Sequence, residues 1–128
     1  MDKIRIFDSA FTPFAKSASL SQENCQIPTH FEWATEDSPD CIPGLNIYTD
    51  GHIKNVDRDG AIAWLLEPRH LRPENYEAAE ELQDKFDLIV TYDKQLIDKV
   101  AHVVFCPFGG ATIAFKKWGL YQKTKKFV

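Results

Sequence analysis

The sequence predicts an α/β fold, a Rossmann-like three-layer sandwich with a mostly parallel sheet. Two observations carry that expectation. Residues 61–66 (AIAWLL), 87–91 (DLIVT) and 102–105 (HVVF) are short apolar runs, and helical patterns separate them. Strands that alternate with helices and are apolar on both faces form parallel sheets covered on both sides. In such sheets ligands meet the carboxyl ends of the strands. Here those ends carry Glu67, Tyr92 with Asp93, and Pro107, Phe108, Gly109 and Gly110.

In chain order, KIRIF at 3–7 alternates and is rich in β-branched residues, so it reads as the first strand. Residues 10–23 are rich in serine and small residues, with Phe11, Phe14 and Leu20 as apolar anchors of a loop or short helix. HFEWAT at 30–35 is a second candidate strand. EDSPDCIPG at 36–44 is dense in turn formers and reads as a connection. NIYT at 46–49 is a short strand closed by the turn pair Asp50-Gly51, and 52–59 reads as one more extended piece.

Residues 61–66 form the central strand. Pro73 suits the first turn of the helix that follows, where its absent N–H has no intrahelical partner to lose. Tyr76, Ala79, Leu82 and Phe86 recur at helical spacing and define its buried face. Asp93 is placed to cap a second helix whose Leu96, Ile97 and Val100 face inward. Residues 111–115 (ATIAF) continue as strand or helix. Residues 1–115 thus read as one domain and 116–128 as a basic segment.

That segment makes the charge uneven. The net charge is −4, yet the first 115 residues hold 10 basic against 19 acidic residues, and five lysines fall in the last thirteen. An acidic body without a nucleic-acid motif argues against nucleic acid as the partner. The lysine tail is either a solvated end or a contact for an anion. No apolar run reaches the roughly 18 residues a membrane span needs. Asp8 interrupts what would be the core of a signal peptide. Cys25, Cys41 and Cys106 show no metal or disulfide spacing, which favours free thiols and a cytoplasmic setting.

Neither glycine-rich phosphate loop is present, and His30, His52, His70 and His102 lack metal-ligand spacing, so no cofactor and no metal are expected. No serine or cysteine sits in a nucleophile motif, and Cys106, at a strand end, reads as a buried apolar residue. Asp57-Arg58-Asp59 is formally a DxD, but it precedes Gly60 in a polar stretch and reads as a solvated turn. Glu67 stands out. A carboxylate just past a central apolar strand lies partly desolvated at the sheet's mouth, where its affinity for a proton rises toward that of a general base. The same carboxylate could instead cap the next turn or pair with Arg69 or Arg72.

The series WLLEPR, PENY, FDLIVTYDKQLI, VFCPFGGATI and YQKTKK, spanning about 62–126, resembles the N-terminal, acceptor-side half of fucosyltransferase-like glycosyltransferases, the α-1,3-fucosyltransferase relatives of viruses and marine microbes. The resemblance implies two Rossmann-like lobes, of which this chain supplies one and lacks the other, donor-binding lobe. It implies that Glu67 deprotonates an acceptor hydroxyl, which attacks the anomeric carbon of a GDP-sugar with inversion. In the family Asn more often follows this glutamate; here it is Pro68. Arg69, Tyr92, Asp93, Phe108, Gly109 and Gly110 become candidate substrate-binding residues, and Lys123, Thr124 and Lys125 open the connection to the second lobe. The implied partners are a glycan or small-molecule acceptor and that donor-binding lobe. The alternative is a stand-alone, non-enzymatic α/β binding or oligomerisation module that pairs with a second copy of itself.

Overall fold

The computed structural model describes residues 2–9, 30–35 and 39–107. Expectations for residues 10–23, for Phe108, Gly109 and Gly110, for 111–115 and for the lysine-rich segment lie outside them.

Among the described residues six strands form one sheet: β1 (Lys3–Phe7), β2 (Glu32–Ala34), β3 (Cys41–Thr49), β4 (Ala61–Trp64), β5 (Phe86–Thr91) and β6 (Val103–Phe105). Every neighbouring pair is parallel, in the order β2-β1-β3-β4-β5-β6. The α/β, Rossmann-like class is therefore the observed one, with an all-parallel sheet. The direction of winding reverses between β1 and β3, the kind of place where open α/β sheets present their crevice. The helices α1 (Pro73–Glu81) and α2 (Lys94–Lys99) follow β4 and β5, as the alternation requires.

The core sits around β3, β4 and β5. Ala61 and Ala63 are fully buried, and their small side chains let Tyr48, Ile53, Tyr76 and Ala79 close over the strand. Tyr48 stacks on Phe7 at 4.5 Å between ring centroids, and its hydroxyl donates to Asp57 at 2.8 Å. Burial, with that hydrogen bond, pushes the Tyr48 phenol up to about 12. Phe86 and Ile89 reach the same core although they stand three positions apart, where strict alternation would put them on opposite faces. The β4–β5 register shifts between Ala61 and Ile62, so Asp87 bulges outward and the alternation resets.

Three local expectations are corrected. Residues 36–44 are not simply a connection, because β3 already begins at Cys41. Lys3 pairs with Cys41 and Arg5 with Asn46, so 42–45 make an excursion within the strand. The turn formers Pro43 and Gly44 occupy that excursion. Gly44 has φ +74°, and Gly60 has φ +68° with no room for a Cβ, which would lie 1.7 Å from the Gly44 carbonyl oxygen. Second, the piece after β3 is not extended but a 3₁₀ helix, Asp50–Asn55, anchored by the fully buried Ile53. Third, α1 stops at Glu81, and Phe86 belongs to β5. Pro73 does stand at the start of α1. Ala79 and Tyr76 are buried on it as the spacing requires, and Leu82 follows as its C-cap.

Candidate functional site

The carboxyl ends of β1, β3, β4 and β5 form one rim that carries Asp8, Asp50, Glu67 and Asp93 in turn. Each side chain there is held by a different arrangement of its neighbours.

Glu67 lies three residues beyond β4, where the ladder has ended. Leu65 still donates to the Val90 carbonyl at 3.0 Å. The next two amides, of Leu66 and Glu67, leave the sheet and both donate to Oδ1 of Asp50, at 2.9 and 3.1 Å. The Glu67 carbonyl accepts the hydroxyl of the fully buried Tyr76 at 2.6 Å. Both polar backbone groups of Glu67 are thus fixed, and Pro68 stiffens the exit. The carboxylate is half exposed and pairs with Arg72 at 3.2 Å. Of the two partners left open by the sequence, Arg72 takes it. Glu67 is thus less withdrawn from water than a buried general base.

Arg69 is engaged elsewhere. Its guanidinium contacts Asp93, with Nη2 to Oδ2 at 2.7 Å and Nε to Oδ1 at 3.3 Å, and also Glu80 at 3.4 Å. It lies over the Tyr76 ring at 4.5 Å. Lys99 adds a contact to Glu80 at 3.1 Å. Asp93 in turn caps α2, accepting the amide of Leu96 at 2.9 Å. Hydrogen bonding to Arg69 holds the Asp93 carboxyl below its ordinary value, and the same bond raises Arg69. Arg69 and Asp93 therefore join α1, α2 and the two strand exits. Tyr92 is half-buried beside them. It contributes to the rise of the Tyr76 phenol, which burial chiefly drives.

Asp50, which the sequence places in a turn, has a further role in the structure as the acceptor of the Leu66 and Glu67 amides. It is half-buried and the one non-glycine residue with positive φ among the described residues, at +40°. Desolvation raises its carboxyl pKa against the opposing pull of the two amides, and the charges of Glu67 and Asp8 add to the rise. Thr49 lies between the strands, its hydroxyl 2.6 Å from Asp8 Oδ2 and 3.2 Å from the Phe7 carbonyl. Ser9 and His52 meet at 2.9 Å on the same rim. The available signal was positional: Asp8 and Asp50 each directly follow a strand-like run, as Glu67 does.

The Asp57-Arg58-Asp59 turn is exposed, as expected, and lies at the opposite end of the sheet. With Gly60, Asp84, Lys85 and Asp87 it lines a shallow depression of about 420 Å³ at the amino ends of β4 and β5. Arg58 lies over Phe7 at 5.6 Å. Cys106 is half-buried rather than buried, and Cys41 accepts a long contact from Arg5 at 3.6 Å. Among the described residues no group of three or more His, Cys, Asp or Glu is placed to hold a metal ion, and no helix is long and apolar enough to cross a membrane. Comparison with known protein families, with curated proteins and with solved structures finds no match for this chain.

Proposed function

We propose that this chain is the acceptor-side lobe of a fucosyltransferase-like, inverting glycosyltransferase, with Glu67 as the base that takes the proton of the acceptor hydroxyl. One observation carries the reading. Glu67 stands at the carboxyl end of a central parallel strand with its backbone held at both ends and its carboxylate open to solvent. A base must reach the proton it removes from a fixed position, and this arrangement supplies the fixed position. Arg69, with every nitrogen of its guanidinium directed at Asp93 or Glu80, supports the rim rather than the substrate in this reading. Leaving-group charge must then be stabilised by the second lobe of the two-lobed family that the sequence resembles.

Two measurements test the proposal. Calorimetry of the 128-residue protein with GDP-fucose is expected to show no binding, and tight binding would overturn the acceptor-side assignment. With the donor-binding lobe supplied, GDP-fucose turnover over a panel of glycans should fall about 10²- to 10⁴-fold in Glu67→Gln. A near-normal rate in that variant removes Glu67 from the mechanism.

A second reading, a non-enzymatic module that pairs with a copy of itself, draws on one feature. Val104 and Phe105 are exposed on β6, which stands at one end of the sheet among the described residues. Sedimentation giving a clean monomer counts against it.

A further inference from the structure

We propose that Asp50 is a positioning residue for Glu67: its carboxylate fixes the peptide from which the base projects. The inference rests on the reading of Glu67 as the base and deepens it.

Three observations lead there. First, Asp50 holds a positive-φ backbone conformation, at +40°, that residues with side chains rarely adopt. Glycine, which adopts that conformation freely, stands at the very next position. Second, the carboxylate is half-buried, and one oxygen collects two consecutive amides from a different strand exit, 16 and 17 residues away. Asp93, by contrast, caps its own helix from an ordinary extended conformation at φ −76°. A positive φ is therefore not needed for capping, and the residue that has one sends its carboxylate across to a different strand exit. Third, the held amides belong to the segment that ends in the half-exposed Glu67 carboxylate, and the Tyr76 hydroxyl fixes the other side of the same residue.

The parallel register explains the reach. Thr49 is level with Trp64, so Asp50 stands beside Leu65 as β4 runs out. Its side chain extends one step further and replaces the ladder partner that Leu66 and Glu67 have lost. Without it two amides would turn to water and the Glu67 carboxylate would sweep a wider arc. Displacement of a catalytic group by about 1 Å can cost about 100-fold in rate.

The experiment compares Asp50→Ala, Asp50→Asn and Glu67→Gln in the protein supplied with its donor-binding lobe, below the melting temperature of every variant. Turnover of GDP-fucose and KM for the acceptor are read for each. Backbone ¹⁵N relaxation at residues 66 and 67 is read on the 128-residue chain. Asp50→Ala should lower kcat about 10- to 100-fold with little change in KM, and residues 66 and 67 should become mobile. Asp50→Asn keeps an acceptor oxygen in place, so it should recover kcat to within about tenfold of the parent and restore the order at 66 and 67. A purely structural role would lower the melting temperature of Asp50→Ala and leave its kcat intact in the folded protein. That result overturns the proposal, as does unchanged order at residues 66 and 67. If Glu67→Gln keeps full turnover, or the parent transfers no fucose, the underlying reading fails, and the positioning role falls with it. Loss of rate in Glu67→Gln with none in Asp50→Ala sinks the positioning role alone.

Discussion

The exits of β4 and β5 lie side by side on one rim, and they use their charges in opposite ways. At the β5 exit the side chains are the structure: Asp93 is divided between Arg69 and the first turn of α2, and Arg69 between Asp93 and Glu80. At the β4 exit the backbone is the structure, with Asp50 and Tyr76 holding both ends of Glu67 while its carboxylate keeps an exposed partner, Arg72. The contrast separates two kinds of polar residue that look alike in sequence. A charge fully enclosed by partners stabilises; a charge on a fixed backbone with solvent before it is available for chemistry.

Tyr76 ties the two regions together, because its ring carries Arg69 and its hydroxyl carries the Glu67 carbonyl. Variants at and around it divide the contrast into parts. The largest effect on stability is expected from Arg69→Ala. It leaves Asp93 and Glu80 facing each other at a partly desolvated site, and urea unfolding should show a loss of about 2–3 kcal/mol. Tyr76→Phe keeps the ring beneath Arg69 and removes the hydroxyl. A thermal melt should report a loss of about 1 kcal/mol, the usual cost of one buried hydrogen bond, and the loss belongs to the β4 exit.

Asp50→Asn should show a smaller, pH-dependent change whose sign is fixed. In the folded protein burial makes Asp50 hold its proton to higher pH than its ordinary value of 3.8. As pH rises past that value the unfolded chain loses the proton first, which favours unfolding, and the penalty is complete once the folded group has also ionised. Asparagine removes that penalty. Asp50→Asn should therefore match the parent in acid and gain on it as pH rises toward neutrality, in melts taken across that range. A variant that loses ground with rising pH would contradict the desolvation of Asp50. The smallest effect is expected from Arg72→Ala, which breaks an exposed pair and should change stability by no more than about 0.5 kcal/mol, less still in high salt.

What the sequence revealed follows the range of each interaction. The apolar runs of β1, β4 and β5, Pro73 at the start of α1 and Asp93 as the cap of α2 are set by neighbours a few residues away, and they were legible. So was Glu67 as a strand-end carboxylate. The contact of Asp50 with Leu66 and Glu67 was not, because it depends on the β3–β4 register and on a backbone angle that a turn-forming pair conceals. The choice between Arg69 and Arg72 as the partner of Glu67 was equally hidden. It is decided by Asp93, 24 residues from Arg69 and brought close by the β4–β5 pairing. The excursion at 42–45 looked like a loop because its residues suit a turn, and only the pairing on either side makes it part of β3.

The contrast between the two exits is tested most directly by equilibrium urea unfolding of Glu67→Ala beside Asp93→Ala in the 128-residue chain. Glu67→Ala should unfold within about 0.5 kcal/mol of the parent, because its backbone contacts survive, and Asp93→Ala should lose about 2 kcal/mol with its cap and its ion pair. An equal loss in the two variants would mean that the Glu67 carboxylate is itself a structural support, and would contradict the account.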